Sequence, residues 1–103
     1  MGGKIMTQVN ERNRYVGLDL TNCPESEAIL EAIEQDNENV KITRFPGYVK
    51  VEAINRLVIN KESVEEFLGD DWETEDLQLA VTSYYGFMAD WDDEHIVLQW
   101  DNV

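Results

Sequence analysis

The one histidine of the chain, His95, closes the stretch DWDDEH, residues 90 to 95, which sets three aspartates and a glutamate around Trp91. Three chemistries suit such a run: a carboxylate-rich metal site, an acid/base pair, or a hydrated turn. Metal binding is short of donors. Structural zinc takes about four Cys or His ligands and catalytic zinc usually about three protein ligands, whereas Cys23 and His95 are the sole cysteine and histidine. An EF-hand loop needs a glycine for its sharp bend and a distant bidentate glutamate, and DWDDEHIVLQW has neither. Di-iron sites in helical bundles draw on Glu-x-x-His pairs, and here Asp92 holds the position that glutamate would need.

Nucleophilic catalysis would require Cys23 and His95 to act as a pair without an evident third member. The glycines, at positions 2, 3, 17, 47, 69 and 86, lack the spacing of a phosphate-binding loop. No catalytic residue, metal or cofactor is therefore expected. DWDDEH reads as a solvated connection: Asp90, Asp92 and Asp93 are turn formers between strand-like runs able to pair as a hairpin, with Trp91 packing partly on the sheet.

The elements around this turn follow from periodicity. Residues 1 to 12, MGGKIMTQVNER, sustain no period and are expected to form a mobile tail, leaving one domain over 13 to 103. Val16, Leu18 and Leu20 alternate with Gly17 and Asp19, a half-buried strand. A helix follows, with Thr21 or Asn22 as cap, Pro24 in the first turn, and Ile29, Leu30 and Ile33 between Ala28 and Ala32 as its apolar stripe. Val40 to Arg44 and Tyr48 to Ile54 form a hairpin about a type II turn at Pro46-Gly47. LVIN supplies a short strand, and Asn60 caps a second helix that buries Val64, Phe67 and Leu68 and ends at Gly69. Leu77, Leu79 and Val81 alternate in one extended run; Ile96, Leu98 and Trp100 do so in another. The predicted fold is α+β: a single domain, mostly antiparallel sheet, with two helices and a C-terminal hairpin.

Charge narrows the partners. Against 22 acidic residues stand 8 lysines and arginines, a formal net of −14, which excludes nucleic acid and anionic membrane surfaces as partners. Beyond Lys61 the chain carries acids but neither lysine nor arginine. That acidic pole either solubilises the protein or docks a basic protein surface. With one cysteine no internal disulfide forms. No early segment has the build of a secretory signal, and no apolar run approaches the ~18 residues of a membrane span, so a cytoplasmic protein is expected.

Four segments in order, NRYVGLDL, SEAILEAIEQDN, RLVINKESVEEFLG and LQLAVTSYYG, closely resemble the small effector, or coupling, proteins of bacterial multicomponent di-iron monooxygenases. Within that family the regulatory component of phenol hydroxylases is the nearest match, and the resemblance spans about Asn13 to Trp100. It implies a cofactor-free, non-catalytic α+β protein that binds the hydroxylase component and changes how its buried di-iron centre meets oxygen, substrate and electrons. It also implies docking over the hydroxylase helices that carry iron ligands. Asn13, Val16 and Gly17 in the first strand, and Ser83, Tyr84, Tyr85 and Gly86 in SYYG, match the family's recurrent motifs and are the expected partner-binding residues. Phe87 and Met88 extend the second group into an aromatic and methionine cluster suited to an interface anchor. The chain departs from some relatives in carrying NEN for Asn-Pro-Gly after the first helix and Tyr84-Tyr85 for Phe-Ala. A separate reading keeps the acidic final third as the functional face of a binding module that mimics nucleic acid or inhibits a basic protein.

Overall fold

The computed structural model describes residues 15 to 100; the expected tail over residues 1 to 12 and Asn13 lie outside them. Strand β1 (Tyr15–Thr21) leads into helix α1 (Pro24–Asp36), then β2 (Lys41–Phe45), β3 (Tyr48–Ile54) and β4 (Arg56–Asn60). Helix α2 (Lys61–Leu68), a 3-10 turn (Thr74–Asp76), a short helix α3 (Leu77–Ala80), β5 (Val81–Tyr85), β6 (Phe87–Trp91) and β7 (His95–Gln99) follow within the described residues.

The α+β class holds, but the strands divide into two antiparallel sheets rather than one, in the orders β2-β3-β1-β5 and β4-β7-β6. Among the described residues three α-helices stand where two were expected. The alternation at the start of the chain puts Val16, Leu18 and Leu20 opposite Ala53, Val51 and Val49 on the inner face of the first sheet. Leu57, Ile59, Ile96 and Leu98 do the same for the second sheet, and the stripe of α1 joins both in one core. Burial of these apolar faces, worth roughly 25 cal/mol per Å² removed from water, holds the two sheets and α1 together.

The local signals acted largely as their chemistry requires. Gly47 takes φ +94 at the β2–β3 turn, and Gly69 takes φ +76 as the left-handed cap of α2, its N–H donating to the Glu65 carbonyl. Helix α1 starts one or two residues later than expected, with Cys23 at the N-cap position and Pro24 in the first turn. Asn60 precedes α2 but makes no side-chain cap; its amide donates to Asp36 at 2.9 Å instead. Phe67 is 38% exposed and Leu68 only partly buried, so Val64 alone of the predicted trio is fully buried. At the end of α1, Asn37 does unforeseen work: its side-chain amide donates to the carbonyls of Ile33 and Val58, and its oxygen accepts from Val58 N–H at 2.9 Å. It thus satisfies a helix terminus and the rim of β4 together.

The clearest correction concerns residues 77 to 81. Leu77 and Ala80 are buried one helical turn apart while Leu79 is 79% exposed, so the stretch is α3, and only Val81 begins a strand. A reciprocal capping arrangement between Glu73 and Asp76 opens this region. Trp72, also unforeseen, is buried; its indole N–H donates to Glu25 at 2.6 Å and its backbone N–H to Glu65 at 2.9 Å. Among the described residues no helix is long and apolar enough to cross a membrane.

Candidate functional site

The chain passes from the first sheet to the second twice, and both crossings fall on a residue with positive φ. Between β3 and β4 it is Asn55, at φ +69; between β5 and β6 it is Gly86, at φ +117. Antiparallel pairing brings the start of β1, the ends of β3 and β5, the start of β6 and the end of β7 to this one corner. The Trp100 N–H donates to the Asn55 carbonyl at 2.8 Å and fastens the end of β7 there. Gly86 is required twice over: a Cβ would meet Val16 Cγ1 at 2.8 Å and the Gln99 carbonyl at 2.9 Å, and its φ disfavours L side chains.

The corner exposes Ile54 (44%), Tyr84 (50%), Phe87 (44%) and Trp100 (42%). They do not share one face: Ile54 follows the parity of Lys50 and Glu52 on the outer face of the first sheet, whereas Tyr84 pairs with buried Leu18 and is half exposed on the edge strand β5. Of the expected partner-binding residues, Tyr84 and Gly86 lie at this corner. Val16 is fully buried beneath it and presents no side chain outward.

Gly17, Ser83 and Tyr85 belong to the outer face of the first sheet, in a polar network across β5, β1 and β3. The Tyr85 phenol lies over Gly17, where a Cβ would come within 2.8 Å of Oη and 2.5 Å of the Val51 carbonyl. Its hydroxyl donates to the Glu52 carboxylate. Partial burial, followed by the hydrogen bond and the negative charge of Glu52, holds the Tyr85 proton on well above the usual phenol range. Lys50 sits 5.1 Å from the ring centroid and 3.3 Å from Asp19, which also accepts from Ser83 at 2.8 Å.

At the far end of the second sheet, residues 92 to 94 of DWDDEH form the hairpin turn, while Asp90 and Trp91 end β6 and His95 opens β7, so the stretch joins β6 to β7 rather than the 77–81 run to β7. Asp92 holds the turn: one carboxylate oxygen accepts from the N–H groups of both Glu94 and His95 at 2.9 Å, and these bonds keep its pKa below the ordinary carboxylate value. His95 Nε2 lies 3.0 Å from Asp90 and Nδ1 3.6 Å from Asp92, so one potential ligand atom from each of the three residues falls within 4.8 Å of the others. Both aspartates are exposed, and the Asp92 oxygen is already committed to the backbone. The other lone group, Cys23, bonds Ser26 at 3.3 Å; that hydroxyl lowers its pKa against the opposing effect of burial.

Residues 14 to 99 match the MmoB/DmpM family. The chain belongs to that family. As a MmoB/DmpM protein it is 38% identical over 98 residues to the stimulatory component DmpM of phenol 2-monooxygenase from Pseudomonas sp. (strain CF600), covering 95% of this chain and 93% of that one. It is 24% identical to the effector component of propane 2-monooxygenase from Gordonia sp. (strain TY-5), over 84% of this chain and 78% of that relative. Its fold superposes on a chain in a solved phenol hydroxylase–regulatory protein complex with a TM-score of 0.77 and 34% identity, covering 84% of this chain and 98% of the other. The regulatory protein B of soluble methane monooxygenase shares the fold at a TM-score of 0.66 and 20% identity, over 84% of this chain and 65% of that one. The sequence relatives carry the names stimulatory component and effector component.

Proposed function

We propose that this protein is the regulatory component of a multicomponent aromatic-ring hydroxylase of the phenol hydroxylase type. It binds the hydroxylase component and modulates oxygen activation, substrate access and coupling, acting on a partner's catalysis in the cytoplasm. Near-full-length similarity to a phenol 2-monooxygenase stimulatory component carries this reading. The docking surface that best suits it is the corner, with Tyr84 and Phe87, on either side of the Gly86 bend, as anchors. Half-exposed aromatics around a rigid bend have the form of interface hot spots: much area to bury and little conformational entropy to lose.

To change a partner's behaviour, such a protein must bind one hydroxylase conformation more tightly than another; each ~1.4 kcal/mol of difference shifts that equilibrium about tenfold. The test reconstitutes a phenol hydroxylase component with its reductase, leaving out its own regulatory protein. Adding this chain raises turnover and coupling saturably. Unchanged turnover and coupling across the titration overturn the proposal.

A further inference from the structure

The resemblance groups Tyr84 and Tyr85 together as contact residues, but the two neighbours are built for different tasks. Tyr84 is half exposed, and no partner is seen for its hydroxyl among the described residues. Tyr85 turns its ring the other way, across β1, and spends its hydroxyl on Glu52 of β3. The space it fills exists because residue 17 has no side chain. Lys50, bound to Asp19, closes over the ring. The phenol therefore ties the edge strand β5 to the next two strands at its last residue, immediately before the Gly86 bend.

We infer that Tyr85 is a positioning residue: its phenol, seated on Gly17 and bonded to Glu52, locks the end of β5 and so holds the half-exposed Tyr84 before the Gly86 bend and Phe87 after it in fixed positions for docking. The inference rests on the docking surface proposed above and adds a mechanism to it. An edge strand has a neighbour on one side only, so its end frays unless a side chain holds it. A hydrogen bond to a carboxylate is stronger than one between neutral groups, which suits it to that task. A preformed surface binds more tightly because less is lost in ordering it.

The experiment uses the full-length protein and two measurements. Amide hydrogen exchange on the free protein reports the lock; titration of a phenol hydroxylase component reports docking. Tyr85→Phe removes only the hydroxyl, and the exchange of Gly86 and Phe87 is expected to rise about tenfold while affinity falls about fivefold, the scale of one net hydrogen bond. Glu52→Ala gives the same pair of changes. The double variant is no worse than either single variant, because one interaction is lost in all three. Glu52→Gln keeps an acceptor but loses its charge, and both measurements fall between those of wild type and Tyr85→Phe. Weaker binding by Tyr85→Phe with exchange at Gly86 and Phe87 unchanged would make the hydroxyl a direct contact and overturn the inference, as would no change in either measurement. Faster exchange together with wild-type affinity for both Tyr85→Phe and Tyr84→Ala would uphold the lock and overturn the docking surface instead.

Discussion

The corner at Asn55 and Gly86 and the acidic end formed by α2, residues 70 to 76 and the 92–94 turn differ in what they expose and in how they are held. The corner displays apolar rings and is fixed by backbone conformation and close packing. The acidic end displays carboxylates, and several of them hold it in place: Asp92 accepts from two backbone N–H groups, Asp70 from Asp71 N–H, Glu65 from Trp72 N–H, and Asp76 from Glu73 N–H. Acids that bind the backbone need no basic partner, which explains how this end folds with so few cations nearby. The two ends also suit different parts of association. Packed apolar area governs how long a complex lasts, and charge governs how fast it forms.

Substitutions at the two ends test that contrast. Gly86→Ala should have the largest effect, because it forces a side chain into an unfavourable φ and against Val16; the combined penalty is about 3 kcal/mol, read as a lowered urea midpoint. Gly86→Trp is harsher still and reports on the fold before it reports on docking. A wild-type midpoint for Gly86→Ala would mean the corner is not rigid. Tyr84→Ala or Phe87→Ala should leave the urea midpoint nearly unchanged and raise the dissociation rate from a phenol hydroxylase component about tenfold, at any salt concentration, the level of a modest hot spot. The smallest effect belongs to the triple variant Glu62→Gln, Glu66→Gln and Asp93→Asn, all exposed positions. Its association rate should change by about threefold at low ionic strength and match wild type at ~1 M salt, with dissociation unaffected. A salt-independent change would move the acidic end into the packed interface.

Local rules carried much of the fold. Alternation located β1, β3 and β7, the helical stripe located α1, and Gly47 and Gly69 sit at positive φ where a turn and a helix end required it. What escaped prediction depends on distant contacts. The sequence LQLAV alternates and reads as a strand, yet the space beneath it admits Leu77 and Ala80 together, a helical pairing, and leaves Leu79 outside. The Glu73–Asp76 capping arrangement was the available warning. Trp72, a lone large apolar residue among acids in DDWETED, signalled an anchor that periodicity alone does not detect. The division into two sheets was readable only in retrospect, since Asn55 and Gly86 look like ordinary connectors until both are found bending the chain at one place.

The candidate site was legible in the same uneven way. SYYG marked the right segment, because aromatics flanking a glycine favour a bend with rings on either side. Composition does not say which ring takes which face; the register of β5 against β1 decides it, setting Tyr85 opposite Gly17 on the outer face and Tyr84 opposite Leu18, where the open edge of β5 leaves it half exposed. Ile54 shares the parity of Lys50 and Glu52, which was a signal for its exposure. Trp100 follows the inward parity of Ile96 and Leu98 and escapes burial because β7 ends one residue before it.

Asn37 has a consequence for life in a crowded cell. Its amide imitates a length of peptide and occupies the rim of β4, so a foreign strand seeking to extend that ribbon finds the seat already taken. One residue at a helix end thereby acts as a stopper against fibre growth from that side.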